Sequence, residues 1–400
     1  TVEVSLDGCR YPVDTGFLVF NHRTYPGLVR LFEELSVPTA ASDMSFSVSI
    51  GPHQFEWCGT NLAALFAQPS NALSPRFWRM LRDLFRFNRQ ASEMARQFEA
   101  QPQSATLNQP IGEFLANQRY SDAFKDLYLL PMAAAIWSCP MKTMLNFPLG
   151  SFVRFFHNHG LLQIENRPQW FTVKGGSREY VQRIEQRLQQ VRLSTPVRWV
   201  RRMAGEQPSA GVMLTTDSGT EHFDHVVLAC HSDQALRLLP EANPLERELL
   251  SSIRYQPNQA WLHTDTSLMP RRRRAWAAWN YLSDGHLDSP MVSVTYWLNR
   301  LQPLPFRSPV MVSLNPLREP ATEHQIGHFR YDHPVFDGPA IAAQRRLQQA
   351  QGHGGVWFAG AWAGYGFHED GLRSGLEAAS QLLAVAGLGP YSKSDSQQAA

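Results

Sequence analysis

The residues best suited to chemistry lie in the run GVWFAGAWAGYGFHEDGLRSGLEAAS, residues 355–380. It reads as a buried strand ending at Gly360, a loop carrying Gly360, Gly364, Gly366 and Gly371, and a helix after Asp370 that packs through Ser374, Gly375, Ala378 and Ala379. Glycines let backbone approach a bound ring system or phosphate, and small residues let a helix lie close to a sheet. The positive end of that helix suits negative charge building on a ring as it is reduced. An ordinary strand–turn–helix corner explains the same residues. Two further segments have the same character: Val13-Asp14-Thr15-Gly16-Phe17, where a glycine sits beside polar groups after a strand, and Gly175-Gly176-Ser177-Arg178, which opens a helix whose first amides could meet phosphate or ribose. Alone, each reads equally as a tight turn. His368 is the imidazole of the set and suits either proton transfer or pocket shaping. Glu369 and Asp370 favour a helix start in any case.

Composition bounds what these residues can serve. The chain has 400 residues, 43% hydrophobic and 18% charged, enough for large cores and two or three domains. Lys+Arg 37 against Asp+Glu 35 leaves a formal charge of +2, which excludes a long basic face for nucleic acid. Only Lys125, Lys142, Lys174 and Lys393 are lysines, so a mechanism that needs one has few candidates. Cys9, Cys58, Cys139 and Cys230 are scattered and form no C-x-x-C pair, which argues against a zinc site or a disulfide framework and for a reduced, cytoplasmic setting. The longest nearly apolar run, Leu127 to Trp137, is about half of the roughly 20 residues a membrane span needs. Arg271 to Arg274 form the one basic cluster, a solvated loop by default and a contact for an acyl-lipid head group or membrane surface as the sharper reading.

Several elements must position these groups. Val2-Val4-Leu6 and Tyr11-Val13 read as strands joined by the Asp7-Gly8 turn, a helix runs from about Tyr25 to Leu35, and Phe46-Val48-Ile50 is a strand. Residues 61–156 keep helical spacings. A strand at Phe171–Val173 leads through the glycine pair into a helix reaching about Val191, then strands at Val197–Trp199, Val212–Leu214 and Val226–Ala229, with a turn at Ser218-Gly219. Residues 255–335 suit an antiparallel sheet in which Trp276, Trp279, Tyr281, Tyr296 and Trp297 fill a core or line an apolar pocket. The last helix runs from about Gly371 to Ala386.

In this order the three motifs resemble the flavin-containing amine oxidase superfamily. VKGGSREYVQRIEQRL with the strands after it resembles its middle FAD-binding stretch, and residues 355–380 its final one. VDTGFLVFNHRTYPGLVRLFEELSV, MPRRRRAWAAWNYL and YGFHEDGLRSG are further similar to a bacterial group of FAD-dependent oxidoreductases that look like the flavoprotein half of plant cyclopropane fatty acid synthases. The resemblance covers the chain to about Leu388. It implies an α/β fold: an FAD/NAD(P)-binding domain of the glutathione-reductase-like, amine oxidase type over 1–57, 171–240 and 340–388, interleaved with an α+β substrate domain over 58–170 and 241–339, and a disordered tail over 389–400. It further implies FAD as cofactor, held by Asp14, Thr15, Gly16, Gly175, Gly176, Ser177, Val197 (by its backbone, at the adenine end), Gly360, Ala361, Glu369, Asp370, Gly371 and Ser374, with His368 as the catalytic candidate at the flavin face. The family opens with a strand–G-x-G-x-x-G–helix–strand unit, and no G-x-G-x-x-G occurs in these 400 residues. The resemblance therefore implies that a βαβ unit of roughly 30–40 residues precedes Thr1, and that FAD binds poorly without it.

Many amine-oxidising relatives hold a water near flavin N5 with a lysine, and no lysine here falls at a matching strand position, which disfavours amine oxidation. The expectation is an FAD-dependent oxidoreductase moving a hydride from an apolar, fatty-acyl or lipid substrate to flavin. Amine oxidation is its rival, and a non-catalytic flavin-binding partner of a cyclopropane synthase is a third reading. Neither nucleic acid nor a metal is expected, and the chain is expected in the cytoplasm with peripheral membrane contact.

Overall fold

A computed structural model describes residues 1–51, 55–100, 105–163, 167–203, 211–285 and 291–388. The chain opens with a hairpin, β1 (Val2–Leu6) and β2 (Cys9–Val13), closed between Leu6 and Cys9 by Asp7 and Gly8. Both turn residues have positive φ, 53° and 76°, as a two-residue hairpin that follows strand twist demands. β3 (Phe20–Asn21), the helix Pro26–Glu34, β4 (Thr39–Ser42), β5 (Phe46–Ile50) and β6 (Phe55–Cys58) follow. Helices occupy most of residues 62–158, and β7 (Trp170–Val173) then returns between β3 and β4 in a three-stranded sheet. β8 (Val197–Arg202), β9 (Val212–Thr216) and β10 (Gly219–Phe223) form an antiparallel meander, and β11 (Val226–Leu228) succeeds it. β12 (Arg254–His263), β13 (Trp279–Ser283), β14 (Ser293–Trp297), β15 (Met311–Leu314) and β16 (Gln325–Val335) precede the short β17 (Val356–Phe358) and the final helix His368–Val385.

These elements cluster into two compact units. The first comprises Thr1–Leu188 with Tyr255–Gly338, and the second Gln189–Arg254 with the described chain from Pro339 on. Residues 1–57 and 171–188, expected with the cofactor-binding part, cluster in the first unit. The tail over 389–400 and Lys393 lie outside the described residues.

The first unit is organised by a seven-stranded sheet of order β16-β12-β15-β14-β13-β5-β6. An antiparallel sheet is expected from residues 255–335 alone. The observed sheet is mixed, because β5 joins it parallel to β13, pairing Val48 with Tyr281. One face is apolar and takes the helical region: Tyr281 and Tyr296 are buried there, and Trp57 donates its indole N–H to the Leu127 carbonyl at 3.0 Å. Tyr281 and Tyr296 thus belong to the core. The other face carries a buried polar row, Ser47, Asn280, Thr295 and Ser313, linked side chain to side chain at 2.8 Å for Ser47–Asn280 and 2.6 Å for Thr295–Ser313. His263 extends the row. It accepts the Asp265 amide at Nδ1 and so donates from Nε2 to Ser313 at 2.8 Å.

The helical region is a ring-packed core around Phe87, Phe124, Phe152 and Trp137, with Phe152 stacked on Phe156 at 4.3 Å. Leu127 to Trp137 is buried protein interior in which a π-helical turn, Lys125–Leu129, runs into the helix Leu130–Trp137. Among the described residues no helix is long and apolar enough to cross a membrane.

Two helix boundaries depart from the sequence pattern. The helix after Ser177 stops at Glu185 instead of about Val191, and Leu188, Val191 and Leu193 are exposed, so the later apolar residues have no face to bury. The last helix begins at His368, three residues early, because Asp370 at its third position reaches back to the Phe367 amide at 3.2 Å.

Glu56 fastens the arginine loop to the polar face. Fully buried, it accepts the Arg271 amide (2.7 Å), the Arg272 amide (3.1 Å), the Arg272 guanidinium (2.9 Å) and the Ser49 hydroxyl (3.1 Å). Burial opposes its ionisation, but the Arg272 side chain and the two amides outweigh it and hold the carboxyl below its usual range. Glu56→Ala strands these donors and is expected to cost about 2–3 kcal/mol, read as a lower urea midpoint at unchanged slope.

Candidate functional site

In the first unit the structure brings together Asp14, Thr15, Gly16, Gly175, Gly176 and Ser177. Asp14 is buried, and its carboxylate accepts the Ser177 amide (2.8 Å), the Ser177 hydroxyl (2.9 Å) and the Thr1 hydroxyl (2.5 Å). Its backbone is gripped by Gln302, whose amide group accepts from Asp14 N–H at 3.0 Å and donates to its carbonyl at 2.9 Å. Gly175 and Gly176 both have φ of +82°, and a Cβ on Gly176 would meet Thr1 and Asp14 at 2.8 and 3.0 Å. Only glycine fits where the two turns touch. The Ser177 amide, one of those expected to meet a ligand, is thus spent on Asp14 inside the protein. The open part of the cluster is Gly16, where an added Cβ would meet nothing within 4 Å.

Beside it, the Thr15 hydroxyl shares a hydrogen bond of 2.6 Å with the Tyr331 hydroxyl on the edge strand β16. Phe329 stacks parallel to Tyr331, 6.1 Å between ring centres and 6° between planes. Two residues apart on a strand, the rings share one face, while Arg330 and Asp332 alternate to the other and pair at 3.2 Å. The result is a half-buried aromatic ledge next to the Thr15–Gly16 turn. Neither Gln302 nor Tyr331 is foreshadowed in the sequence, because a glutamine or tyrosine that positions a distant turn leaves no local pattern.

In the second unit the strand–turn–helix of residues 355–380 is formed as expected and gathers Gly360, Ala361, Glu369, Asp370, Gly371 and Ser374. β17 pairs in parallel with β11, Val226 opposite Val356. Its other edge is closed by Gln351, whose side chain accepts from Phe358 N–H (2.8 Å) and donates to Phe358 O (2.7 Å). Past the strand, the Ser374 hydroxyl accepts the Gly360 amide at 2.9 Å. Trp362 donates to the Cys230 carbonyl at 2.9 Å, and Gln344 donates to the carbonyls of Trp362 and Gly364 at 2.7 Å each. Side chains at Gly360 or Gly364 would collide with the Trp362 indole and the Asp370 carboxylate respectively. Val197 lies in the same unit at the start of β8, where the ladder with β9 is irregular.

The 18-residue helix begins at His368 behind Phe367, whose side chain carries no hydrogen-bond acceptor, and the acids in its first turn are Glu369 and Asp370. Burial raises the Asp370 pKa, and Arg373 holds the carboxyl at 3.0 Å. Burial also pushes the His368 imidazole down to about 4, leaving it neutral at pH 7.

These residues fit a flavin in three respects: a buried strand, a turn with no room for side chains at Gly360 and Gly364, and a helix start with its positive end uncapped by its first residue. G-x-G-x-x-G, which would cradle a pyrophosphate, is not in the sequence. Among the described residues no group of His, Cys, Asp and Glu could hold a metal ion. Lys125, Lys142 and Lys174 all lie off the seven-stranded sheet.

The family model of flavin-containing amine oxidoreductases matches residues 1–297. No curated protein matches the chain. Among solved structures, putrescine oxidase bound to putrescine superposes with a TM-score of 0.64 at 14% identity over 96% of this chain and 90% of its own. Cyclohexylamine oxidase from Brevibacterium oxydans IH-35A gives 0.65 at 15% over 94% and 88%. A fatty acid isomerase from P. acnes that produces CLA gives 0.61 at 13% over 93% and 87%.

Two outcomes follow from this geometry. Gly364→Ala displaces Asp370 from the Phe367 amide and is expected to weaken FAD binding roughly tenfold or more, read by flavin fluorescence titration. The second concerns acid. His368, and in the first unit His159 and His263, are each lowered by burial to about 4 from 6.5. The unfolded chain therefore binds protons between pH 6.5 and 4 that the folded chain refuses, so their contribution is intact above 6.5 and is lost as pH falls through that window. Urea midpoints measured at pH 7, 6 and 5 should decline in that order, and His263→Asn should flatten the decline.

Proposed function

The chain belongs to the flavin-containing amine oxidoreductase family, and from that premise we propose that this FAD-dependent oxidoreductase acts on an apolar substrate of fatty-acyl or lipid character. The observation that carries the reading is the ledge of Phe329 and Tyr331 beside Thr15–Gly16. That face of β16 offers aromatic surface, and the nearest charged pair on the strand, Arg330–Asp332, points the other way. An acyl chain gains from covering such rings; an ammonium group is also drawn to ring faces but further seeks a carboxylate to pair with. Asp14 is already engaged by Ser177. The fatty acid isomerase is a precedent for apolar ligands on this fold.

A bound flavin supplies the hydride acceptor. The protein's share is positioning and electrostatics. Its helix start at His368 is suited to charge on the reduced ring, and the Ser374 and Gln344 contacts hold the preceding turn in one geometry. His368, neutral and with a pKa near 4, is a weak base at pH 7 and serves to shape the site and offer a neutral hydrogen-bonding ring.

Anaerobic bleaching of the FAD-loaded protein tests the reading. Unsaturated fatty acids or phospholipids should bleach the flavin, and polyamines or cyclic amines should not. Phe329→Ala should raise the lipid concentration needed for half-maximal bleaching roughly 5- to 50-fold, by loss of about 1–2 kcal/mol of apolar contact, with the flavin spectrum unchanged. Rapid bleaching by an amine with none by any lipid would sink the proposal in favour of amine oxidation.

A further inference from the structure

The first unit carries a second feature that the flavin chemistry does not use. The helix Pro75–Ala100 buries Phe77, Met80, Phe87, Ala91, Ala95 and Phe98. On the opposite side, Trp78, Arg82, Phe85 and Arg89 follow one another at spacings of four, three and four and form a single outward stripe, about 16 Å long. Arg79 and Arg86 flank it. Trp78 is 52% and Phe85 58% exposed, in the middle of the cations.

The one acid among residues 75–92, Asp83, is buried; it accepts the Ser121 amide at 3.0 Å and pairs with Arg82 at 3.4 Å. Nearby Asp122 is engaged by Lys125 at 2.7 Å, and Arg86 sits over the Tyr120 ring at 4.1 Å. Among the described residues neither Arg79 nor Arg89 has a carboxylate partner. The apolar exposure continues onto adjoining turns at Leu73, 88% exposed, and Leu62, 76% exposed. The helix Leu62–Leu65 packs against the turn Arg273–Ala275, next to exposed Arg271, Arg273 and Arg274.

We propose that this face docks on an anionic phospholipid bilayer surface. Guanidinium groups pair with lipid phosphates, Trp78 and Phe85 sit at head-group depth, and Leu62 and Leu73 reach the acyl boundary. A merely solvated basic face would not hold two aromatics and two aliphatics this exposed within it. Trp78 donates its indole N–H to the Ala72 carbonyl at 2.8 Å, so its polar edge is satisfied and its ring is free to enter the interface. Leu62 and Leu73 also separate this surface from a nucleic-acid groove, where bases stack on aromatic faces and aliphatic side chains have little to meet. The docking is peripheral, since arginines and aromatics lie on a single helix face.

Sedimentation of the full chain with vesicles is the test. With phosphatidylcholine vesicles containing roughly a third phosphatidylglycerol, at about 0.1 M salt, the protein should pellet, and with pure phosphatidylcholine it should remain in solution. Arg79→Glu with Arg89→Glu should weaken anionic binding roughly tenfold or more, and raised salt should do the same to the unaltered chain. Brominated acyl chains should quench a fraction of the tryptophan emission that disappears in Trp78→Ser. Arg192→Glu, in the exposed loop before β8, should bind as the unaltered chain does. The proposal fails if the chain ignores anionic vesicles, if its binding is indifferent to salt or to the double charge reversal, or if it is retained by RNA or an acidic protein and not by vesicles.

Discussion

The buried carboxylate of Asp14 is the interaction on which the first unit's candidate residues depend. One acid joins three remote parts of the chain: the N-terminal hairpin that it terminates, the Gly175-Gly176 turn through Ser177, and the loop after β14 through Gln302. A carboxylate taken from water must be repaid in hydrogen bonds, and Asp14 has three to its oxygens besides the two on its backbone. Thr15 and Gly16 inherit their position from it, and Thr15 then fixes Tyr331. Losing the carboxylate would free both turns at once, so its effect on any ligand near Gly16 would be one of geometry more than of lost contact.

The large sheet shows the same economy in a polar layer. Ser47, Asn280, Thr295, Ser313 and His263 are buried, an arrangement that raises cost unless every group is paired. They pair with one another across five strands, and Asn280 also reaches the backbone of Ala277 and Thr295. Because each side chain finds its partner only in one alignment, the row fixes strand register more sharply than the interchangeable aliphatic side chains of the opposite face can. β5 enters this sheet from far away in sequence, and Ser47 meeting Asn280 is part of what selects that parallel pairing.

Local signals in the sequence account for much of this, and non-local ones for what they miss. Asp7-Gly8, the 3.6-residue periodicity around Leu28 and Phe32, and the strand–glycine–helix run at 355–380 are each determined by neighbours in the chain, and the structure forms all three. The membership of β5 in the mixed sheet and the roles of Gln302 and Tyr331 depend on partners hundreds of residues away, Gln344 binds carbonyls 18 and 20 residues on, and the helix ends at Glu185 because the apolar residues after it have no face to bury. The aromatic residues show the limit most directly. Tyr296 and Phe329 look alike in a sequence of alternating apolar residues, yet Tyr296 is core while Phe329 stands half-exposed on an edge strand. Pattern gives the side of the strand, and only the sheet order says what that side faces.

The arginine bias of the chain has a physical sense at both ends of this picture. Four of 37 basic residues are lysines, so nearly every cation is a guanidinium, charged at any accessible pH and able to lie flat on a ring or fork onto an oxyanion. Inside, that property lets Arg272 satisfy Glu56 together with two backbone amides, and lets Arg202 reach Glu246 at 2.5 Å while also bonding the His353 carbonyl at 3.0 Å. Outside, it lets Arg273 lie over Trp276 and Arg86 over Tyr120 without loss of charge. A lysine ammonium, compact and strongly hydrated, would serve the polar water interface well and these mixed aromatic and ionic settings badly. The same choice leaves the described strands beside the aromatic ledge without a lysine amine, so besides the Asp14 carboxylate the positioning there comes from neutral groups: the hydroxyls of Thr15 and Tyr331, the amides of Gln302 and Asn258, and the His263 imidazole, which burial holds uncharged.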